Sequence, residues 1–531
     1  MNPTSAPRGG EGTRAPVRLA ELLVGFSAVA DLGMGLPIGE AARTAIVAVN
    51  LARGAGCPEP EVSDVFFAAL LQHIGCTAYA HEVTELFADE FSIKRAGLAT
   101  DFTRQSEIIL SYLPRITRES PAGERFRTIR SALLHSRRMT EGYMLANCET
   151  ASIIARRIGL PPGVCSGLLD IFEWWNGGGG PKKVRGEQIS LVARLVNVAG
   201  YAVFFDRIGG QGAAAQAINQ RSGGYLDPAI AADFQRRPRQ LLEPTDAGDL
   251  SDRLLATEPR PHTIVEPAAM EEVLRVFGET VDLKTPFLHG HSAAVSALGD
   301  GACRALGLGD DQVSLARRVG YVQDIGRAAV PSAIWEHQGP LGSDAWMQVR
   351  LHAYHSEQIL SRCAPLLPLA AVAGLHHDRL DGSGYHRGAT AVLLSMTARV
   401  LAAADVRHAL VSERPHRPAH PPHRASALLR AEANAGRLDH DAVRAVIAAA
   451  EGGGSAAPRA RPAGLTDRQV EVLRLVARGL SNRAISEMLV ISPRTAEHHV
   501  QDVYARIGVS SRAAAAMFAM SHGLLTPPQD W

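Results

Sequence analysis

The stretch HHDRLDGSGYHRG, residues 376–388, sets two adjacent imidazoles and an aspartate ahead of a glycine-rich turn. Imidazole nitrogen and carboxylate oxygen form a mixed donor set that suits Fe or Mn, and also Zn. Alone, such a pair reads most simply as surface histidines at a helix end. Its weight comes from company at fixed spacing. His291 stands 32 residues before Gln323, Asp324 follows at once, His352 comes 28 residues later, and then His376, His377 and Asp405. A carboxylate can bridge two ions, and two ions can activate water against a phosphoester.

These residues need elements to hold them. Apolar residues recur at helical spacing in HSAAVSALGDGACRAL, LARRVGYVQDIG, RLHAYHSEQILSRC, LAAVAGLHHD and MTARVLAAADVRHAL, and alternating strand patterns are scarce. The expected fold class is therefore all-α. Two stretches rich in Pro and charge, 236–262 and 451–463, read as breaks. They divide the chain into 1–235, 263–450 and 464–531.

The first two segments read as a repeat. WWNGGGGPKKVRGEQISLVARLVNVAGYAVFFD runs parallel to RLDGSGYHRGATAVLLSMTARVLAAADVRHALV, and ALLQHIGCTA to GYVQDIGRAA. The first copy carries about 46 extra residues, expected around 85–140. Both copies end alike, in RSGGYLDPAIAADF and NAGRLDHDAVRAVI.

Residues 287–450 resemble the HD-GYP family of metal-dependent phosphohydrolases, through QDIGRAAVP, RLHAYHSEQIL, HHDRLDGSGYH and RVLAAADV in that order. The resemblance implies a binuclear Fe or Mn centre with His291, Asp324, His352, His376, His377 and Asp405 at ligand positions. Asp324 would be the bridging carboxylate. Asp324 and Arg327 would hold catalytic positions, and Asp381, Gly382, Gly384 and Tyr385 a substrate loop. The usual substrate of the family is cyclic di-GMP. Five residues depart from its pattern. Gln323 replaces the histidine of the His-Asp pair, and Arg327 replaces a lysine. Phe287 stands where some members carry a further Glu ligand, which argues against a third ion. Asp378 shortens a Glu, and His386 replaces the signature proline. Together they imply weakened or lost hydrolysis. The first copy is stripped further, with Glu40, Gln72, His73, Ile171, Phe172 and Gly200 at the matching positions. It is expected to keep the helical fold without a metal site, as a binding or dimerisation module.

The last segment reads as four short helices. Thr466 with Gln469 makes a capping box. Ser481 or Asn482 caps the second helix, Ser492 with Pro493 the third, and Ser510 or Ser511 the fourth. In the third, Ala496, Val500, Val503 and Ile507 form an apolar face, and Arg494, His498, Gln501 and Ala505 point nearly opposite, flanked by Glu497 and Tyr504. A short helix fixed by one face and polar on the other suits the major groove.

This segment closely resembles the LuxR-type helix-turn-helix. The likeness makes 493–507 the recognition helix and Glu497, His498 and Gln501 the base-reading residues. Arg483, Arg494, Thr495, Arg506 and Arg512 suit phosphates. The helix from about 511 to 521 would pair two copies. Residues 464–525 hold seven Arg against five Asp/Glu, and Arg459 and Arg461 of the linker add two charges. One copy should bind DNA weakly, so a homodimer is expected.

The whole chain has 531 residues and a net charge of +1, so no bulk pull toward nucleic acid or membrane exists and any DNA contact must be local. Six scattered cysteines without a CxxC fit a reducing compartment. The polar N-terminus and the lack of a long apolar run lead to a cytoplasmic, non-membrane expectation. The leading reading is a bacterial transcription regulator on double-stranded DNA, with HD-GYP-like segments that sense a ligand such as a cyclic dinucleotide. The alternatives are a phosphodiesterase that also binds DNA, and a degenerate site that docks a protein such as a diguanylate cyclase.

Overall fold

The computed structural model describes residues 16–86, 90–108, 122–245, 249–452 and 461–525. It is all-α, as expected. Among the described residues the only strands are Val17–Arg18 and Ile264–Val265, which pair antiparallel and tie together the starts of the two copies. No helix among the described residues is long and apolar enough to cross a membrane.

The repeat is visible in matched local devices. Helices Leu19–Gly33, Glu40–Gly54 and Glu59–Leu71 correspond to Met270–Asp282, His291–Ala305 and Asp310–Val322. Asp31 accepts from the backbone of Gly39 and Ala41 at 2.8 and 3.0 Å, and Asp282 accepts from Ser292 N and Oγ, both at 2.9 Å. Burial pushes both carboxyls up to about 7. Gly39 and Gly290 precede the paired second helices with φ of 103° and 78°, a conformation that favours glycine. Ser190 and Ser395 cap the later helices Leu191–Arg221 and Met396–Val411. Arg194–Asp227 and Arg399–Asp439 form equivalent ion pairs at 2.8 and 2.9 Å. Phe26 and Phe277, matched in the repeat and both fully buried, stack at 3.9 Å between the copies. The copies therefore share one core.

The extra residues of the first copy fall between Thr77 and Asn147, in helices Ala80–Leu86 and Glu90–Ala99 and the first part of Ala122–Arg157; 109–121 lie outside the described residues. Glu90 anchors the insertion to the second copy. Its carboxylate accepts from Lys284 Nζ at 2.5 Å and Ser332 N at 3.2 Å, with Lys94 Nζ at 3.9 Å.

The stretch 236–262 is not an open break. Leu241, Leu242 and Leu254 are buried on helices Pro238–Leu242 and Leu250–Thr257, the latter capped by Asp249. Glu258 pairs with Arg18. Helical apolar spacing inside the charged, Pro-rich sequence outweighs its composition there. Most of the second expected linker, with Arg459, lies outside the described residues.

The C-terminal segment forms four helices, Asp467–Ala477, Asn482–Leu489, Pro493–Ile507 and Arg512–Ser521. The Thr466–Gln469 capping box is present. Ser481, Ser492 and Ser511 cap the next three through Ala484 N, Thr495 N and Ala514 N.

Candidate metal centre and nucleic-acid interface

Five elements converge on one buried point in the second copy. His291 opens helix His291–Ala305 directly after the left-handed Gly290. Asp324 heads the turn Ile325–Ala329 after helix Asp310–Val322. Gly326 lets this turn lie against helix Ser343–Ser361: a Cβ on Gly326 would collide with His352 O, and its N–H bonds Ser356 Oγ at 2.9 Å. That helix carries His352, and Met396–Val411 carries Asp405. His376 and His377 lie in the turn just beyond helix Leu367–Ala373, which ends sooner than the apolar spacing suggests.

The side chains form two donor groups that share Asp324: Asp324 with His352, His376 and His377, and Asp324 with His291 and Asp405. Asp324 Oδ1 is 3.2 Å from His352 Nε2 and 3.3 Å from His376 Nε2. Its Oδ2 is 3.0 Å from His291 Nε2, which is 3.1 Å from Asp405 Oδ1. His377 Nδ1 is 3.8 Å from Asp405 Oδ2. All six expected ligand residues thus meet, with Asp324 between the groups.

The donor set fits bound cations. His352 and His376 each direct Nδ1 at a backbone carbonyl, Val349 O at 2.5 Å and Ala373 O at 2.6 Å. Their Nε2 lone pairs are then left facing each other at 3.2 Å. Burial pushes the His352 imidazole down, which favours the neutral, ligating form. His377 is held well below its ordinary value by burial and then by His376. Burial opposes ionisation of Asp324, but Arg327 and the facing imidazoles of His291, His352 and His376 hold it well below the usual carboxylate range. Asp405 is held down in the same way by His291 and His377. His291 differs: although burial and Arg327 oppose its charge, Asp324 and Asp405 hold its imidazole above the ordinary value. Imidazoles that give up the proton facing ionised carboxylates are what a divalent metal requires.

Arg327 Nε lies 3.0 Å from Asp324 Oδ1, and its guanidinium stands 5.5 Å over the Trp335 ring. Of the loop residues, Tyr385 reaches the site, with its ring 4.6 Å from that of His377 in a stacked geometry. Trp346 meets Tyr385 edge-on at 6.0 Å, and Arg350 stands 5.6 Å over the Tyr385 ring. Gly384 is packed so closely on His377 O and Arg379 N that no side chain fits. Gly382 turns with φ of 79°. Asp381 is exposed and accepts from Ser383 N and Oγ, so it shapes the loop rather than lining the centre.

Sequence reasoning missed His408, whose Nδ1 is 2.9 Å from His291 Nδ1. It stands three residues after Asp405 on one helix, the spacing of a shared face, and that signal could have found it. Trp335 and Arg350 carry no comparable pattern. Gln323 is fully buried, and neither of its amide atoms has a hydrogen-bond partner.

In the first copy Glu40 pairs with Arg207 at 3.0 Å, Ile171 is buried, and Phe172 meets Tyr143 edge-on at 5.7 Å. Burial pushes His73 down to about 4. Gln72 lies against Gly200.

On the C-terminal unit, Glu497, His498 and Gln501 are exposed along Pro493–Ile507 while Ala496, Val500 and Val503 are buried. Arg494, Thr495 and Arg506 are also exposed. Arg483 pairs with Glu487 at 3.1 Å. Three expectations change. Tyr504 is buried rather than flanking, and Arg512 turns inward to Leu480 O and Asn482 Oδ1 rather than outward to phosphate. The fourth helix, expected to pair two copies, is covered within one chain: Ala513 to Met517, Ala519 and Met520 are all buried. A helix with no polar face is buried all round. Its surroundings include Ser510 N bonded to Glu149 Oε1 at 2.6 Å and Arg275 Nη1 bonded to Ser521 O at 3.3 Å.

Comparison with known proteins adds two family matches: an HD domain over residues 275–442, and bacterial regulatory proteins of the luxR family over 463–519. A 3'3'-cGAMP-specific phosphodiesterase 3 of Vibrio cholerae is 31% identical over 416 residues, 77% of this chain and 90% of that protein. A match of that length must include both copies. A cyclic di-GMP phosphodiesterase of Pseudomonas aeruginosa is 32% identical over 191 residues, 36% of this chain and 44% of that protein. Among solved structures, a cyclic GMP-AMP-specific phosphodiesterase of V. cholerae (V-cGAP3) superposes with a TM-score of 0.57 at 26% identity, over 82% of this chain and 98% of that one.

Proposed function

We propose, from the premise that this chain belongs to the HD-GYP family and carries a luxR-family helix-turn-helix, that it is a bacterial DNA-binding regulator whose HD-GYP body governs its C-terminal helices. The body would bind metal and a cyclic purine dinucleotide, the ligand class after which its relatives are named. One observation carries the coupling. The loop 286–290 leads directly into the ligand position His291 and packs on the DNA-binding unit. His289 Nδ1 is 2.5 Å from Ala477 O, and Gly290 N is 3.2 Å from Met520 Sδ. Gly479 lies so close to Pro286 that a Cβ there would stand 2.5 Å from Pro286 Cγ. A shift of His291 on ligand binding is thereby felt by the helix-turn-helix, and DNA binding is felt at His291.

The ligand set supports a second reading, a phosphodiesterase. Metal ions held by the six residues would supply an activated water and neutralise phosphate charge. The chain's own share is to keep Asp324 ionised between the donor groups, to set Arg327 against it, and to offer Tyr385, Trp346 and Arg350 to a purine and its phosphate. The experiment is paired. DNA fragments selected on the full chain are titrated with and without 3'3'-cGAMP or cyclic di-GMP, and hydrolysis of both is followed with Asp324→Ala as control. Ligand-dependent DNA affinity supports the regulator. Turnover lost in Asp324→Ala, with DNA affinity indifferent to ligand, supports the enzyme.

A further inference from the structure

The two donor groups are chemically unequal. One offers three imidazoles and a carboxylate; the other offers His291 and two carboxylates, one donor short. Gln323 directly precedes Asp324, the residue the two groups share. It is fully buried, and both amide atoms lack a hydrogen-bond partner. A buried amide left in that state is unfavourable, so it calls for a partner of another kind. The first copy shows where a glutamine in this register turns. Gln72 Oε1 lies 3.2 Å from where a Cβ on Gly200 would stand, and Gly200 is the counterpart of Asp405.

We propose that Gln323 Oε1 is the fourth protein donor to the position formed by His291, Asp324 and Asp405. This rests on the metal centre described above and adds that its two positions differ in kind. With the amide oxygen, one position is oxygen-rich and suits Mn(II) or Mg(II), exchangeably held. The other is nitrogen-rich and suits Zn(II) or Fe(II), firmly held. The replacement of a histidine at 323 therefore changes the metal preference of one half of the site and keeps that half able to bind.

The test loads full-length protein with Zn(II) and a large excess of Mn(II), removes free ions by gel filtration, and counts both metals by elemental analysis before and after dialysis. Wild type should hold one zinc that survives dialysis and one manganese that does not. Gln323→Leu should lose the manganese while keeping the zinc, with Mn(II) affinity down about tenfold or more. Gln323→Glu, which keeps an oxygen donor, should retain manganese, so the assignment stays testable should the leucine variant misfold. Gln323→His should take two zincs. Wild type retaining two zincs, or Gln323→Leu binding Mn(II) like wild type, would overturn the assignment. A wild-type chain that binds neither ion yet still binds DNA would overturn it too, while leaving the DNA-binding reading standing.

Discussion

Replacing Glu90 by Gln tests how the insertion and the second copy are joined. Glu90 and Lys284 are both fully buried, and Lys284 begins the segment that runs through Pro286 and His289 to His291. Burial opposes the Glu90 charge, but Lys284 and then Lys94 hold its carboxyl down to about 2 from an ordinary 4.5. A difference of that size corresponds to roughly 3 kcal/mol, part of which is offset because burial pushes the Lys284 ammonium below its ordinary value. The variant leaves two ammonium groups without a buried counter-charge, which by itself costs about 3–5 kcal/mol. The expected loss is therefore about 3 kcal/mol. The folded value lies below the unfolded one, so this stability is fully present above pH ~4.5 and is lost as pH falls toward 2. Urea unfolding followed by circular dichroism at pH 7 and at pH 3 reads both effects. The wild-type advantage over Glu90→Gln should be full at pH 7 and should shrink at pH 3. Equal midpoints at pH 7 would refute the reasoning, because a buried pair cannot lose one charge without cost.

Three further outcomes are expected. Tyr385→Ala should weaken binding of a cyclic purine dinucleotide by about 1–3 kcal/mol in calorimetry, the worth of one stacked base, with metal content unchanged. His498→Ala and Gln501→Ala should alter the sequence preference of selected DNA, since base edges carry specificity. Arg506→Ala should weaken all duplexes alike and lower the salt slope by about one; a changed preference in that variant instead would misplace the reading face.

Much of the site was legible because its chemistry is sparse and ordered. Six residues of ligating type at family spacing needed no three-dimensional information to be grouped, and Asp324 could be set between the donor groups in advance. The four C-terminal helices announce themselves through Thr466, Ser481, Ser492, Ser511 and Pro493, whose backbone-capping chemistry is local. What escaped depends on tertiary packing. Helices Pro238–Leu242 and Leu250–Thr257 look like linker by composition, and only the burial of Leu241, Leu242 and Leu254 makes them structure. The run Ala513–Met520 has the small, apolar character of a pairing helix, and composition cannot tell burial against another copy from burial against this chain's own body. His408 was within reach by its helical spacing from Asp405, but its contact with His291 joins residues 117 apart. The Phe26–Phe277 stack, which merges the two copies into one core, is likewise set by the fold.

We propose that the state of the second copy governs DNA binding through the loop before His291. The most direct measurement is the affinity of the full chain for a selected duplex with and without 3'3'-cGAMP or cyclic di-GMP, in metal-loaded wild type and in Asp324→Ala. Ligand should change wild-type affinity by about tenfold, and Asp324→Ala should bind DNA without responding. An affinity that is the same in all four conditions would contradict it.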